Sequence, residues 1–141
     1  MEGNRKILIV ADDGLPTQEL AQSIASVIVP PEFSGYSVSI LKSDVFYGTD
    51  ILPAHVFFLG CETPSPPSFS YIEILFDRIN LAGRPCGVFS SGSKAIRYLS
   101  GLVRGSEASL GKPLLAKNGK MDEARLRAWV RNILAKGKGN A

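Results

Sequence analysis

Several features that carry function in other proteins are scarce or missing in this chain of 141 residues. Only two cysteines, Cys61 and Cys86, and one histidine, His55, are present, and they form neither a CxxC pair nor a set of zinc ligands. We therefore expect reduced cysteines, with a disulfide as the minor alternative, no metal site and no histidine-based catalysis. No apolar run approaches the roughly 20 residues that cross a bilayer. No secretory signal precedes the first apolar run, so we expect a cytoplasmic protein with no membrane partner.

Nucleotide-binding signatures are missing as well. The fingerprint GxGxxG does not follow the first apolar run, and Gly111-Lys112-Pro113 lacks the upstream glycine and the following Ser or Thr of a P-loop. The net charge is +3, with acids in excess over residues 1–60 and bases in excess over the remainder. Because the bases are scattered and form no compact block, we expect a solvated basic face and no nucleic-acid partner.

What the sequence does contain is a regular alternation of two patterns, in a length that suits one domain spanning residues 1–141. Short apolar runs at 6–11, 36–41, 56–59, 85–89 and 113–116 read as strands, and the second alternates like an edge strand. Between them, apolar residues recur with helical spacing, although residues 43–54 lack a convincing helix. Ser70 and Glu73 have the spacing of a capping box, for a helix that stops near Gly83. The alternation predicts an α/β fold, a three-layer αβα sandwich around a five-stranded parallel sheet, for which we adopt the strand order 2-1-3-4-5.

The carboxyl ends of the first, third and fourth strands would meet at one edge of such a sheet, where ligands bind. The loops that follow these strands are rich in polar residues. Any one of their hydroxyls is also explained as a helix cap or turn former. Together they define a predicted crevice lined by Asp12, Asp13, Thr17, Glu62, Thr63, Ser90, Ser91 and Ser93.

The same loops resemble those of the flavodoxin family, and the resemblance runs from residues 6–10 to residues 125–130. The first loop has the family's length and ends in Thr17, with Ala21 four residues later. Residues 60–63 resemble the family's Gly-x-x-Thr, and residues 88–93 its fourth-strand loop. The resemblance implies a flavin mononucleotide (FMN), its phosphate cradled by the first loop and its ring flanked by the other two. The cofactor-binding residues so implied are Asp12, Asp13, Gly14, Thr17, Gly60, Thr63, Phe69, Ser90, Ser91, Gly92 and Ser93.

The first loop departs from the family's pattern. Asp12 stands where the family has a phosphate-binding Ser or Thr, and it places a negative charge near an anion. Leu15 replaces a small residue, and Pro16 removes a backbone N–H. For the flavin ring, the aromatic candidates are Phe69 or Tyr71 on one side and Tyr98 on the other.

Three functions follow from these observations. The first is an FMN-binding electron carrier with a divergent phosphate loop and a redox protein partner, favoured over an enzyme with its own turnover. The second is a flavin-free module that holds a regulatory protein partner at the crevice or at the basic C-terminal helix. The third is a pseudo-receiver: Asp12, Asp13 and Lys117 resemble residues of signalling receivers, but Gly60 stands where the phospho-accepting Asp would follow the third strand.

Overall fold

The computed structural model of the protein describes residues 5–139, with side chains through residue 136. Four parallel strands form most of the sheet: β1 Arg5–Ala11, β2 Tyr36–Lys42, β3 Val56–Gly60 and β4 Pro85–Ser90. They lie in the order β2-β1-β3-β4, followed by β5 (Ser109–Leu110). The predicted α/β fold, with its strand order 2-1-3-4-5 and β2 at the edge, is confirmed.

The apolar run of β1 explains its central position. Ile7 and Ile9 pack into the core on one face of the sheet, while Leu8 and Val10 pack into the core on the other. Because alternate side chains of a strand point to opposite faces, a strand buried on both sides needs this uninterrupted run. The sheet is therefore covered on both faces, as the predicted sandwich requires.

Helices α1 (Leu15–Val27) and α5 (Glu123–Gly139) cover one face. The opposite face carries α3 (Ser70–Phe76) and α4 (Ser93–Gly105). The periodicity predicted for α5 is confirmed, since Leu126, Trp129, Val130, Ile133 and Leu134 are all buried. None of the helices in the described part of the chain has the length and apolar character that a membrane crossing requires.

The crossover between β2 and β3 is short, as its weak helical pattern predicts. It contains a 3₁₀ turn at Ser43–Val45 and a single turn of helix, α2 (Gly48–Ile51). Arg84 fixes its end by donating hydrogen bonds to the carbonyl oxygens of Ile51 and Ala54, at 2.8 and 3.0 Å. Because α2 covers little of α3, an apolar groove of about 500 Å³ opens between them, lined in part by Tyr47, Leu52 and Tyr71.

The predicted fifth strand at 113–116 is present but shortened to two residues, and a short strand that was not predicted, β5, precedes it. Two short strands, β5 and β6 (Leu114–Leu115), each pair with β4. Between them, Gly111 passes so close to α5 that a β-carbon there would lie 2.3 Å from Cδ1 of Ile133. Pro113 has no N–H to donate to a ladder. The two short strands are therefore separated where the chain presses against α5.

The capping box predicted at Ser70 and Glu73 is wrong. Ser70 lies inside the helical stretch and donates to the carbonyl oxygen of Pro67 at 2.9 Å, while Glu73 accepts hydrogen bonds from two other side chains, Ser65 and Tyr98. A preceding 3₁₀ turn at Pro67–Phe69 starts the helix instead. The helix ends at Phe76, well before Gly83.

Candidate functional site

The three predicted loops meet at the carboxyl edge of the sheet, and Asp12 joins two of them. We call residues 12–17 the first loop, 61–69 the second loop and 91–93 the third loop. One carboxylate oxygen of Asp12 accepts the N–H of Gly14 at 3.3 Å, and the other accepts the N–H of Glu62 at 3.1 Å. With only 6% of its surface exposed, Asp12 holds the backbones of the first and second loops together. Asp13, beside it, is exposed.

The third loop closes the same edge. The buried hydroxyl of Ser90 accepts the N–H of Gly92 at 3.0 Å. Gly92 lies against the second loop, since a β-carbon at this position would be 3.2 Å from the carbonyl oxygen of Glu62. Ser91 is half-buried, and Ser93 is exposed at the start of α4. Backbone contacts of Glu62 therefore link all three loops.

The side chain of Glu62 lies over the first loop. A β-carbon on Gly14 would be 2.6 Å from Cδ of Glu62 and 2.8 and 2.9 Å from its two carboxylate oxygens. Gly14 is the N-cap of α1, which has no side-chain cap and no acid in its first turn. Free N–H groups and the helix dipole make such an end attractive to anions. Glu62 supplies, from a different loop, the negative charge that the first turn of α1 lacks.

The electrostatics of this contact are crowded. Burial raises the pKa of the Glu62 carboxyl above its ordinary value of 4.5, and the charges of Asp12 and Asp13 raise it further. The hydrogen bond from the backbone N–H of Thr17 acts in the opposite direction and lowers the pKa. A carboxylate is thus held at the helix end against the repulsion of two others.

Two buried polar atoms at this place have no hydrogen-bond partner: Oγ1 of Thr17 and Oε2 of Glu62. Thr17 is completely buried. Leaving a hydroxyl buried and unpaired costs about 1–3 kcal/mol. Thr17, the threonine predicted to bind a ligand, therefore lies in the first loop with a hydroxyl that makes no hydrogen bond.

The rest of the second loop is held by hydrogen bonds to α3 and α4. Ser65 and Tyr98 both donate to the same carboxylate oxygen of Glu73, at 2.7 and 2.6 Å, and these bonds lower the pKa of Glu73. Thr63 is exposed, and its carbonyl oxygen accepts the thiol of Cys61 at 3.3 Å. Burial raises the pKa of the Cys61 thiol, so this cysteine lacks the thiolate that nucleophilic chemistry needs. Cys61 and Cys86 are both free and buried, in agreement with the prediction of reduced cysteines.

Two of the three aromatic side chains proposed for the flavin ring, Phe69 and Tyr71, are engaged outside the crevice. Phe69 is fully buried in the core, with its ring centroid 6.2 Å from that of Tyr98. The hydroxyl of Tyr71 accepts the N–H of Gly48 at 2.7 Å, beside the apolar groove. Gly60 is buried beneath the crevice, where a β-carbon would lie 2.3 Å from the Phe89 ring. The second loop before Phe69 and the whole third loop contain no aromatic residue.

The residues at the crevice fit a phosphate in one respect and reject it in another. The uncapped amino end of α1, the glycine backbone and the unpaired Thr17 hydroxyl suit an anion. The carboxylate of Glu62 already fills this place. A phosphate fits the first loop only after Glu62 has left it.

Glu62 is also the residue whose role the sequence did not reveal. Its position after β3 placed it at the crevice, but nothing in the local pattern connects it with Gly14, which lies far away in the chain. One feature of the sequence could have indicated that a distant acid covers this helix end: the start of α1 has no capping side chain and no acid in its first turn.

Two ion pairs involve the C-terminal helix, outside the crevice. On α5, Arg127 pairs with Glu123 at 2.6 Å, and Arg131 pairs with Glu32. His55 lies just before β3, at the opposite end of the sheet, and accepts the N–H of Lys6 at 3.1 Å. Lys117 is exposed after β6, and Gly60 occupies the carboxyl end of β3.

No family model matches the sequence, and no curated protein matches it either. The fold is similar to that of a flavodoxin from Streptococcus pneumoniae, with a TM-score of 0.76 and 19% identity over 93% of this chain and 98% of that one. A short-chain flavodoxin associated with a non-canonical PDU bacterial microcompartment gives 0.78 and 13% identity, over 94% and 99%. A flavodiiron core from Synechocystis gives 0.71 and 20% identity over 97% of this chain and 36% of that one. These likenesses establish a flavodoxin-like fold.

Proposed function

We propose that this flavodoxin-like protein is an electron carrier that binds FMN in the crevice formed by the first, second and third loops. The observation that carries the proposal is the meeting of these loops at the carboxyl edge, where Asp12 joins the first loop to the second. In an open parallel sheet this edge is the ordinary place for a ligand. The flavin, when bound, would supply the redox chemistry that the side chains of the crevice lack.

The chain's own residues have separate tasks in this proposal. Thr17 and the amino end of α1 would hold the phosphate, and the third loop, with Ser91 and Gly92, would border the ring. Thr63, exposed on the second loop, would face the ligand from the other side. A redox protein partner would reach the flavin at this rim, where Ser93 and Asp13 are exposed.

The side chain of Glu62 favours a second candidate, a flavin-free module that binds a protein partner. In this alternative the carboxylate is a permanent cap of α1, and the crevice holds no cofactor. The lack of an aromatic residue in the third loop points the same way. The two candidates differ in whether the unpaired hydroxyl of Thr17 serves a ligand.

Replacement of Thr17 by valine distinguishes the two candidates, because valine has the shape of threonine without the hydroxyl. Removing an unpaired buried hydroxyl should raise the free energy of unfolding of the flavin-free protein by about 1 kcal/mol. FMN fluorescence should be quenched saturably on titration with the wild-type protein, and Thr17→Val should weaken that binding. Thr49→Val, the same substitution at an exposed position in α2, is the matched control. Absence of FMN quenching by both the wild type and Glu62→Ala would leave only the flavin-free module.

A further inference from the structure

We infer that Glu62 determines the anion specificity of the crevice: its carboxylate occupies the amino-terminal end of α1, so a phosphate-bearing ligand binds only by displacing it. The inference deepens the proposed function and rests on it for the identity of the ligand. Its physical basis is the contact of Glu62 with Gly14 and Thr17.

The amino end of α1 is an anion site that a side chain of the protein itself occupies. The helix is 13 residues long, and its N-cap provides no side-chain hydrogen bond. Helix ends of this kind bind sulfates, phosphates and carboxylates through their backbone N–H groups. The carboxylate of Glu62 packs on the α-carbon of Gly14, and the backbone N–H of Thr17 lowers the pKa of this carboxyl. It stands where an external anion would stand.

The carboxylate of Glu62 leaves two buried polar atoms without a hydrogen-bond partner. Oγ1 of the fully buried Thr17 and Oε2 of Glu62 are both without a partner. A phosphate presents more oxygen acceptors than a carboxylate, so it could take the Thr17 hydroxyl as well as the backbone N–H. The internal carboxylate is thus an incomplete substitute for a larger anion.

The side chain of Glu62 can leave the first loop without a change in the backbone. The backbone N–H of Glu62 is held by Asp12 at 3.1 Å, whereas its side chain is the flexible part that lies over Gly14. Moving the side chain outward leaves the link between the two loops intact. Until it moves, its charge and those of Asp12 and Asp13 oppose a dianion. The crevice should therefore bind a ligand that carries a phosphate less readily than the same ligand without its phosphate.

FMN and riboflavin make the test, because riboflavin has the same ring and ribityl chain without the phosphate. Dissociation constants are measured by flavin fluorescence for the wild type, Glu62→Ala and Glu62→Gln, with Asp77→Asn as the control that removes an exposed charge at the C-terminal end of α3, outside the crevice. Glu62→Ala should bind FMN about tenfold more tightly or better than the wild type. Riboflavin affinity should change by less than about twofold, since no charge is involved. Glu62→Gln keeps the shape of the side chain and should give an intermediate gain.

Inorganic phosphate supplies a readout that needs no flavin. In the amide NMR spectrum of Glu62→Ala, phosphate should shift the signals of Gly14 and Thr17, and in the wild type it should not. If neither flavin binds any variant but phosphate shifts these signals in Glu62→Ala, the inference stands and the proposed function fails. If FMN binds the wild type and Glu62→Ala equally well, or if phosphate leaves Thr17 unmoved in Glu62→Ala, the inference about Glu62 is overturned.

Discussion

Adding one methyl group at Gly14 and, separately, at Gly60 tests whether the side chain of Glu62 is a movable occupant of the first loop. At Gly14 the new β-carbon would lie 2.6 Å from Cδ of Glu62, and at Gly60 it would lie 2.3 Å from the ring of Phe89. Both distances are too short, so a neighbour must move. The two neighbours differ in their freedom, because Phe89 is fully buried while the carboxyl group of Glu62 is the end of a flexible side chain.

The expected magnitudes follow from that difference. The backbone of Gly14, at φ −63° and ψ 139°, suits alanine, and the loss of unfolded-state entropy should stabilise the variant by about 0.4–1 kcal/mol. Eviction of the carboxylate gives up its attraction to the end of α1, worth about 0.3–1 kcal/mol, but it also relieves the burial and the repulsion by Asp12 that raise the pKa of Glu62. Gly14→Ala should therefore remain within about 1 kcal/mol of the wild type, whereas Gly60→Ala should lose about 1–3 kcal/mol through overpacking.

Urea unfolding followed by the fluorescence of Trp129, the one tryptophan of the chain, measures both variants. With a slope of about 1–3 kcal/mol per molar urea, a loss of about 2 kcal/mol lowers the midpoint by roughly 1 M. In Gly14→Ala, the amide signal of Thr17 should also move, because the carboxylate that acts on this N–H has left. A loss of stability in Gly14→Ala as large as that in Gly60→Ala would refute the idea that Glu62 is movable.

Two further predictions concern stability. Because the pKa of Glu62 is raised in the folded protein, its ionised form destabilises the fold. Glu62→Gln should therefore be more stable than the wild type at neutral pH, and the difference in stability should shrink as the pH falls towards 4.5. Urea midpoints at several pH values check this, and a difference that does not depend on pH would count against it. Gly119 has φ +70° and lies against Pro16, where an added β-carbon would be 2.7 Å from the Pro16 carbonyl oxygen. Gly119→Ala should therefore lose about 1–3 kcal/mol of stability, whereas Gly101→Ala, in an open part of α4, should gain about 0.5–1 kcal/mol. Thermal unfolding of the two variants gives the comparison, and equal effects would contradict the prediction.

Local patterns were sufficient to predict the main strands, whereas the strand order came from the rules for doubly wound sheets and from the family resemblance. The apolar run of β1 and the alternation of β2 directly reflect burial on two faces and on one. The spacing of Leu126, Trp129 and Ile133 predicted the buried side of α5 for the same reason. These features depend on neighbours in the sequence, so periodicity finds them.

The features that the sequence did not predict depend on contacts between distant residues. The short strand β5 was not predicted, and it is separated from β6 where Gly111 lies against Ile133 of α5; no local pattern contains that contact. Phe69 was expected beside a flavin ring, but the core beneath the second loop takes its side chain. Asp12 was expected to face a ligand phosphate, and both of its oxygens instead accept backbone N–H groups. Glu62 lies over the start of α1, which is distant in the chain: Asp12, just before α1, and Glu62 are 50 residues apart.

The most direct test of the account is a pH titration of the Thr17 amide signal in the protein without ligand. If the carboxylate of Glu62 lies at the amino end of α1, the signal should follow a titration whose pKa exceeds the ordinary 4.5 of a glutamate. The same titration should be absent from Glu62→Gln and unchanged in Asp13→Asn apart from a small shift of its midpoint. A Thr17 amide that ignores the charge of Glu62 would contradict the assignment of Glu62 as the internal anion of the crevice.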